Sequence, residues 1–349
     1  EGTIVAAFGV ATNGTLTSDG DGATAVTVNT AATVVQAGTI AQATTGAVQF
    51  TAGIADNIDA MVAGGEATAA FGFATDGTAG AGDGDVAVTV ADAVTVAEAA
   101  VVAGATSGTL QFTTGISGLA ATMADAEGAV AADFETVAGR DTDIQVVVTD
   151  TLNVAQAATI AAETTGQVDF SNAAGITDTA AAMASATVDG EVAAGTITTA
   201  FSTATTAGAA NGDGATAVTV NTAANVAQAT TIIGASSGAI SFASGLSDDV
   251  DQLVKGDNSA VTDALAAILG RDPDAAINVA DAMTVAQANV LVAAADGIVT
   301  ASVTATAAQL AGLMVDAQDV VIVNAITATV STGDVLASDL TIIDGRTSI

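Results

Sequence analysis

Six oxygen-bearing side chains lie in glycine-rich turns: Asp19 and Asp21 in SDGDGA, Asp83 and Asp85 in GDGD, and Asn211 and Asp213 in NGDGA. Carboxylates and backbone oxygens that converge in such turns suit a hard cation, and calcium is the cofactor they predict. Asp-Gly is also a common hairpin dipeptide, so solvated turns are the competing reading of the same residues. The charge favours ions, because 38 acidic residues against four basic ones leave −34, which repels itself unless cations screen or bridge it.

Other chemistry is thinly supported. Asp248 with Asp249, or Asp141 with Asp143, could act as acid and base in the manner of glycosidases, but the sugar-stacking aromatics such sites use are missing: there is no Trp or Tyr. With no Cys and no His, thiol nucleophiles, imidazole bases and the usual zinc ligands are excluded, so no enzymatic activity is expected. Arg140 and Arg271 each stand between Gly and Asp, which predicts a cap on the carbonyls of the preceding helix plus a contact with Asp141 or Asp272. Asn13-Gly14-Thr15 matches a glycosylation acceptor.

The elements that must position these residues recur. Gln36, Glu98, Gln156, Gln228 and Gln287 sit in VVQA, VAEA, VAQA, VAQA and VAQA; a glycine follows ten residues later, and in four copies Phe50, Phe112, Phe170 or Phe242 follows fourteen later. Ten residues before each Gln or Glu, an alternating run begins at Val26, Val88, Val146, Val218 or Ile277 and predicts a strand. Thr30, Asp92, Asp150, Thr222 and Asp281 are the expected N-caps of a short helix, and Gly46 and Gly166 its expected C-caps. AVQF, TLQF, QVDF and AISF predict a second strand, with the phenylalanines in the core, and a Gly-Ile or Gly-Leu step then leads to a second helical patch such as IADNIDAMV.

Two kinds of connector follow, one around Phe8, Phe71 and Phe201 running into Asp-Gly, the other carrying Arg140 and Arg271. The expected fold is an α/β or β-rich repeat: an elongated, solenoid-like stack of short strands and helices over residues 1–314, with units near 25–62, 87–124, 146–184, 217–254 and 277–314. Residues 315–349 break the pattern; DVVIV, ITATV and LTII read there as strands of a β-rich cap or docking segment.

The charge argues against nucleic acid and anionic lipid as partners, and no run of about 18 apolar residues predicts membrane insertion. No basic and apolar leader opens the sequence at Glu1, so export would use a signal already removed or outside this segment. In its Ala/Thr/Gly/Asp-rich, Cys- and His-free texture the chain resembles bacterial surface-layer proteins and repetitive adhesins exported by type I secretion, although the nonapeptide GGxGxDxU does not occur. The resemblance implies a secreted, cell-surface structural protein. Its copies would assemble into a homopolymeric filament or surface layer, with the repeats as body and the C-terminal strands as contact, and cell-surface glycans as further partners. The alternative is a calcium-dependent adhesin or matrix-binding module.

Overall fold

The computed structural model describes residues 25–77, 82–170, 175–184, 216–314, 324–331 and 335–344. Copy one comprises β1 (Val26–Val28), α1 (Val34–Ala43), β2 (Val48–Phe50), β3 (Ile54–Asp56), α2 (Ile58–Met61), the hairpin β4 (Val62–Ala63) and β5 (Glu66–Ala67), and α3 (Ala69–Thr75). Copy two repeats the order with β6 (Val88–Val90), β7 (Val94–Thr95), α4 (Val96–Ala105), β8 (Leu110–Phe112), β9 (Ile116–Gly118), a 3₁₀ turn at Ala120–Thr122, and α5 (Ala132–Arg140). Copy three has β10 (Val146–Val148), α6 (Val154–Glu163), β11 (Val168–Asp169), β12 (Ile176–Asp178) and α7 (Ala180–Ala184). Copy four has β13 (Val218–Val220), α8 (Val226–Ala235), β14 (Ile240–Phe242), β15 (Leu246–Asp248), α9 (Val250–Leu253) and α10 (Asp263–Leu269). Copy five has β16 (Ile277–Met283), α11 (Val285–Ala294), β17 (Val299–Ala305) and α12 (Ala307–Leu310), followed by β18 (Ala325–Val330) and α13 (Ala337–Asp344).

The result is a mixed α/β chain with several short parallel sheets. β1 pairs with β2; β3, β6 and β8 form a second sheet; β7, β9, β10 and β11 a third; β12, β13 and β14 a fourth; and β15 to β18 a fifth. Each of these pairings is parallel, and only the β4–β5 hairpin is antiparallel among the named pairs. A copy serves two sheets at once: β6 and β8 join β3 of the copy before, whereas β7 and β9 join β10 and β11 of the copy after. The described residues divide into two compact units, one holding residues up to Asp150 together with 159–170, the other 151–158 and the residues from 175 onward.

Val-Thr-Val strands fold this way because β-branched side chains fit a pleated surface, with alternate residues sent to the core. Val88 and Val90 are buried while Thr89 between them is half-buried. The register phenylalanines Phe50, Phe112, Phe170 and Phe242 are all buried, as expected. Helices built largely of alanine can approach closely, and at Gly38 of α1 an added Cβ would lie 2.7 Å from the Ala70 carbonyl oxygen of α3.

Several expectations need correction. The helix N-caps are Thr33, Thr95, Asn225 and Thr284, not Thr30, Asp92, Thr222 or Asp281. The recurring Gln or Glu is the third helical residue, whose side chain returns to the cap N–H, as Glu98 Oε2 does to Thr95 at 2.9 Å. Asn153 and Gln156 exchange the same two bonds, so Asp150 is no cap of α6 either. The helices stop in extended backbone at Thr44, Thr106 and Ser236, two residues before the glycine. Gly108 and Gly166 are needed for another reason: a Cβ would collide with the carbonyl oxygens of Asp85 and Val86, or of Asp143 and Ile144. The Gly-Ile step opens a third strand, and the expected helical patch follows it as the short helix Ile58–Met61; at Gly53 the φ of +77° is one that a side chain resists. LTII lies in the helix α13, and DVVIV falls outside the described residues. The two connector kinds carry the same element: α3, α5 and α10 each bury the third helical residue, Phe71, Phe134 or Leu265. Phe8 and Phe201 lie outside the described residues.

Candidate functional site

A parallel sheet has two edges, and each edge presents backbone groups that need partners. On β2, β8 and β14 the outward N–H belongs to the register phenylalanine. Asp83 Oδ2 accepts from Phe50 N at 2.7 Å, Asp141 Oδ2 from Phe112 N at 2.7 Å, and Asp272 Oδ2 from Phe242 N at 2.6 Å. A carboxylate thus stands where another strand would otherwise add, and closes three sheet edges.

These aspartates are the first residues of DGD, DTD and DPD, and each stands five residues before a strand-opening Val88, Val146 or Ile277. That shared offset was the available sequence signal; the glycine-rich setting of Asp83 and the arginine before Asp141 and Asp272 concealed it. Asp21 and Asp213 hold the same offset before Val26 and Val218, and with Asp19 and Asn211 they lie outside the described residues. Of the six predicted calcium ligands the described residues include Asp83 and Asp85, whose side chains are hydrogen-bonded to each other. Burial is the main cause that pushes the Asp83 carboxyl above its ordinary value, with the hydrogen-bonded Asp85 side chain adding to it. Asp141, also buried, is pushed up to about 6 by the loss of water, opposed by the Phe112 N–H and reinforced by Asp143. Asp83 and Asp85 supply two carboxylates in this turn, one of them bonded to the Phe50 N–H. Among the described residues no group of three or more Asp or Glu side chains is placed to hold a metal ion.

The same device fixes helix starts. Asp92 accepts from Ile58 N at 2.8 Å, Asp150 from Ala120 N at 2.7 Å and Asp281 from Val250 N at 2.7 Å, while Thr222 accepts from Ala180 N at 2.9 Å. These residues do cap first turns, but of helices in the preceding copy. Asp56, Asp178 and Asp248 serve Val34, Val154 and Val226 in return. Arg140 donates to the carbonyls of Ala103, Thr106 and Gly108 at the end of α4, and Arg271 to Ile233 and Gly238 at the end of α8. The arginines thus cap helices of the copy's opening half, not the helix just before them. The single ion pair among the described residues is Lys255–Asp263, so neither Asp141 nor Asp272 pairs with its neighbouring arginine.

A shallow cleft of about 530 Å³ is lined by residues including Thr95, Ser117, Leu119, Thr122 and Asp133. Asp133 is the one titratable group in its lining, so no acid–base pair converges there. Among the described residues no helix is long and apolar enough to cross a membrane.

The fifth sheet ends differently. Ala301 stands where the other copies have phenylalanine, and instead of a carboxylate it meets a further strand, pairing with Ile326 of β18. The outer side of β18 pairs with no strand among the described residues. Leu336, Leu340 and Ile342 are exposed apolar side chains on or beside α13. No protein-family model, no curated protein and no solved structure matches this chain.

Proposed function

We propose that this chain is an extracellular structural protein whose repeats form a solenoid-like body and whose copies assemble through β18 into a filament or surface layer. The observation that carries the reading is the contrast between sheet edges. Three are closed by Asp83, Asp141 and Asp272, whereas the outer edge of the six-residue β18 meets no strand among the described residues. Natural proteins close such edges to prevent pairing between chains, so an edge left open favours association, and the exposed Leu336 and Leu340 add apolar surface to the same C-terminal segment. The composition supports a secreted location, since a chain rich in Ala, Thr, Gly and Asp with only four basic residues has the texture of exported surface proteins.

Ala328→Pro tests the role of the edge. The bond from Ser331 N to the Ala305 carbonyl fixes the parity of β18, so that the odd-numbered residues bond β17 and the Ala328 N–H points outward. Proline there removes an outward donor without breaking the ladder to β17. Light scattering should show wild-type assemblies and a monomeric variant with unchanged circular dichroism and melting temperature. Wild-type protein that stays monomeric at every salt and calcium concentration would end the proposal.

A further inference from the structure

We propose that the surface receiving β18 is the edge of β1, unpaired among the described residues, in a second copy of this chain, so that copies join heterologously, with their strands parallel. The inference rests on the assembly reading above and adds the partner and the register.

Between copies within the chain, the edge corresponding to that of β1 is always used in one way. Ile54 N donates to the Ala87 carbonyl at 2.9 Å and Ala91 N to Asp56 at 3.0 Å; Ile116 N donates to Gln145 at 2.8 Å and Thr149 N to Gly118 at 3.0 Å. Ile176 N to Ala217 and Asn221 N to Asp178, both at 2.9 Å, and Leu246 N to Ala276 at 2.7 Å, repeat it. The incoming strand bonds through residues such as Ile54 and Ile116, whose side chains enter the core. The receiving strand bonds through alternate residues, whose side chains face solvent or the strand ends. In β1 the receiving groups are the Ala25 carbonyl, Thr27 N–H and C=O, and Asn29 N–H. β1 pairs only with β2, through Val26 and Val28, so these groups have no strand partner among the described residues. Burial differs in the same sense: Val26 and Val28 are half-buried, whereas their counterparts Val88, Val90, Val146 and Val148 are at most 1% exposed.

β18 has the complementary parity. Its outward backbone groups belong to Ile326, Ala328 and Val330, of which Ile326 is buried and the others half-buried, while Thr327 and Thr329 are exposed. Core-facing donors therefore meet solvent-facing receivers, as at Ile54 and Ala87, and the pleat continues with the apolar side unbroken. Ile326 and Ala328, or Ala328 and Val330, would take the places of Ile54 and Asp56 against Ala25, Thr27 and Asn29. Because the two edges differ, the contact closes a ring or propagates a filament rather than ending at a dimer.

The chain has no cysteine, so any disulfide reports an introduced pair. Strands in a sheet lie about 4.8 Å apart, within the range of about 4.4–6.8 Å that a disulfide spans between Cα atoms. Thr27, Thr327 and Thr329 are exposed and tolerate the change. Under mild oxidation, T27C/T327C or T27C/T329C should yield a ladder of dimers, trimers and larger species. Mixed single variants T27C and T329C should stop at a covalent dimer containing one of each. Assembly by light scattering without such links overturns this inference while leaving the assembly reading intact, as does a T329C variant that links only to itself. A chain that is monomeric throughout overturns both.

Discussion

Asp141 holds a buried carboxyl against Phe112 N–H, and burial, with Asp143 beside it, lifts that carboxyl from an ordinary 3.8 to about 6. The folded chain then binds the proton more tightly than the unfolded chain. The stabilisation is complete below about pH 4 and is lost as pH rises through about 6, amounting to about 3 kcal/mol at most for this group. Thermal unfolding should therefore give a higher melting temperature at pH 4.5 than at pH 7. General relief of the −34 charge acts with the same sign, so the decisive measurement is Asp143→Asn against Glu127→Gln, an exposed site that loses the same charge. Asp143→Asn should flatten the pH profile and raise the melting temperature at pH 7, while the Glu127 variant leaves the profile's shape unchanged. Equal profiles would show that the carboxyl pair contributes nothing. Asp83 could be picked out in the sequence as a residue of interest, but its partner Phe50 N–H could not, because 33 residues separate them. Among the described residues nine aspartates accept backbone N–H groups across 22 to 34 residues, and local patterns carry no information at that range.

At the level of elements, the glycines divide into those that relieve a collision and those that do not. Gly108 enters β8 with the Asp85 and Val86 carbonyls where a Cβ would sit, whereas Gly104 in α4 faces open space. Gly108→Ala must push two backbones apart and should cost several kcal/mol, at the upper end of about 0.5–3 kcal/mol for single substitutions. Gly104→Ala should stabilise by about 0.5–1 kcal/mol through helix propensity. Urea unfolding compares the two, and equal effects would contradict the close approach. The strands β1, β6, β10 and β13 and the helices after them were legible because alternation and the Gln/Glu position are local signals. β3 and β9 were not, since Ile54–Asp56 and Ile116–Gly118 lack the β-branched alternation of Val-Thr-Val and form against β6 or β10. α13 was misread from the β-branched TII, although Leu336, Leu340 and Ile343 keep the helical spacing of four and three.

For the whole molecule, the aspartates that hold its backbone together also supply much of its charge, so the requirements of fold and of association oppose each other. Copies carrying −34 repel across about 30 Å at 0.01 M salt and only about 8 Å at 0.15 M. The proposed contact is a backbone ladder flanked by apolar side chains, neither of which salt screens, and with four basic residues in the chain few ion pairs are available to be weakened. Assembly should therefore be lost at 0.01 M and return by 0.15 M, with sedimentation showing the apparent dissociation constant falling at least tenfold. Calcium, magnesium and sodium chlorides matched in ionic strength separate screening from bridging: equal effects assign the gain to screening, and an excess with calcium alone assigns it to cation binding by carboxylates. Dissociation on adding salt would mean that ion pairs, rather than the β18 edge, hold the copies together.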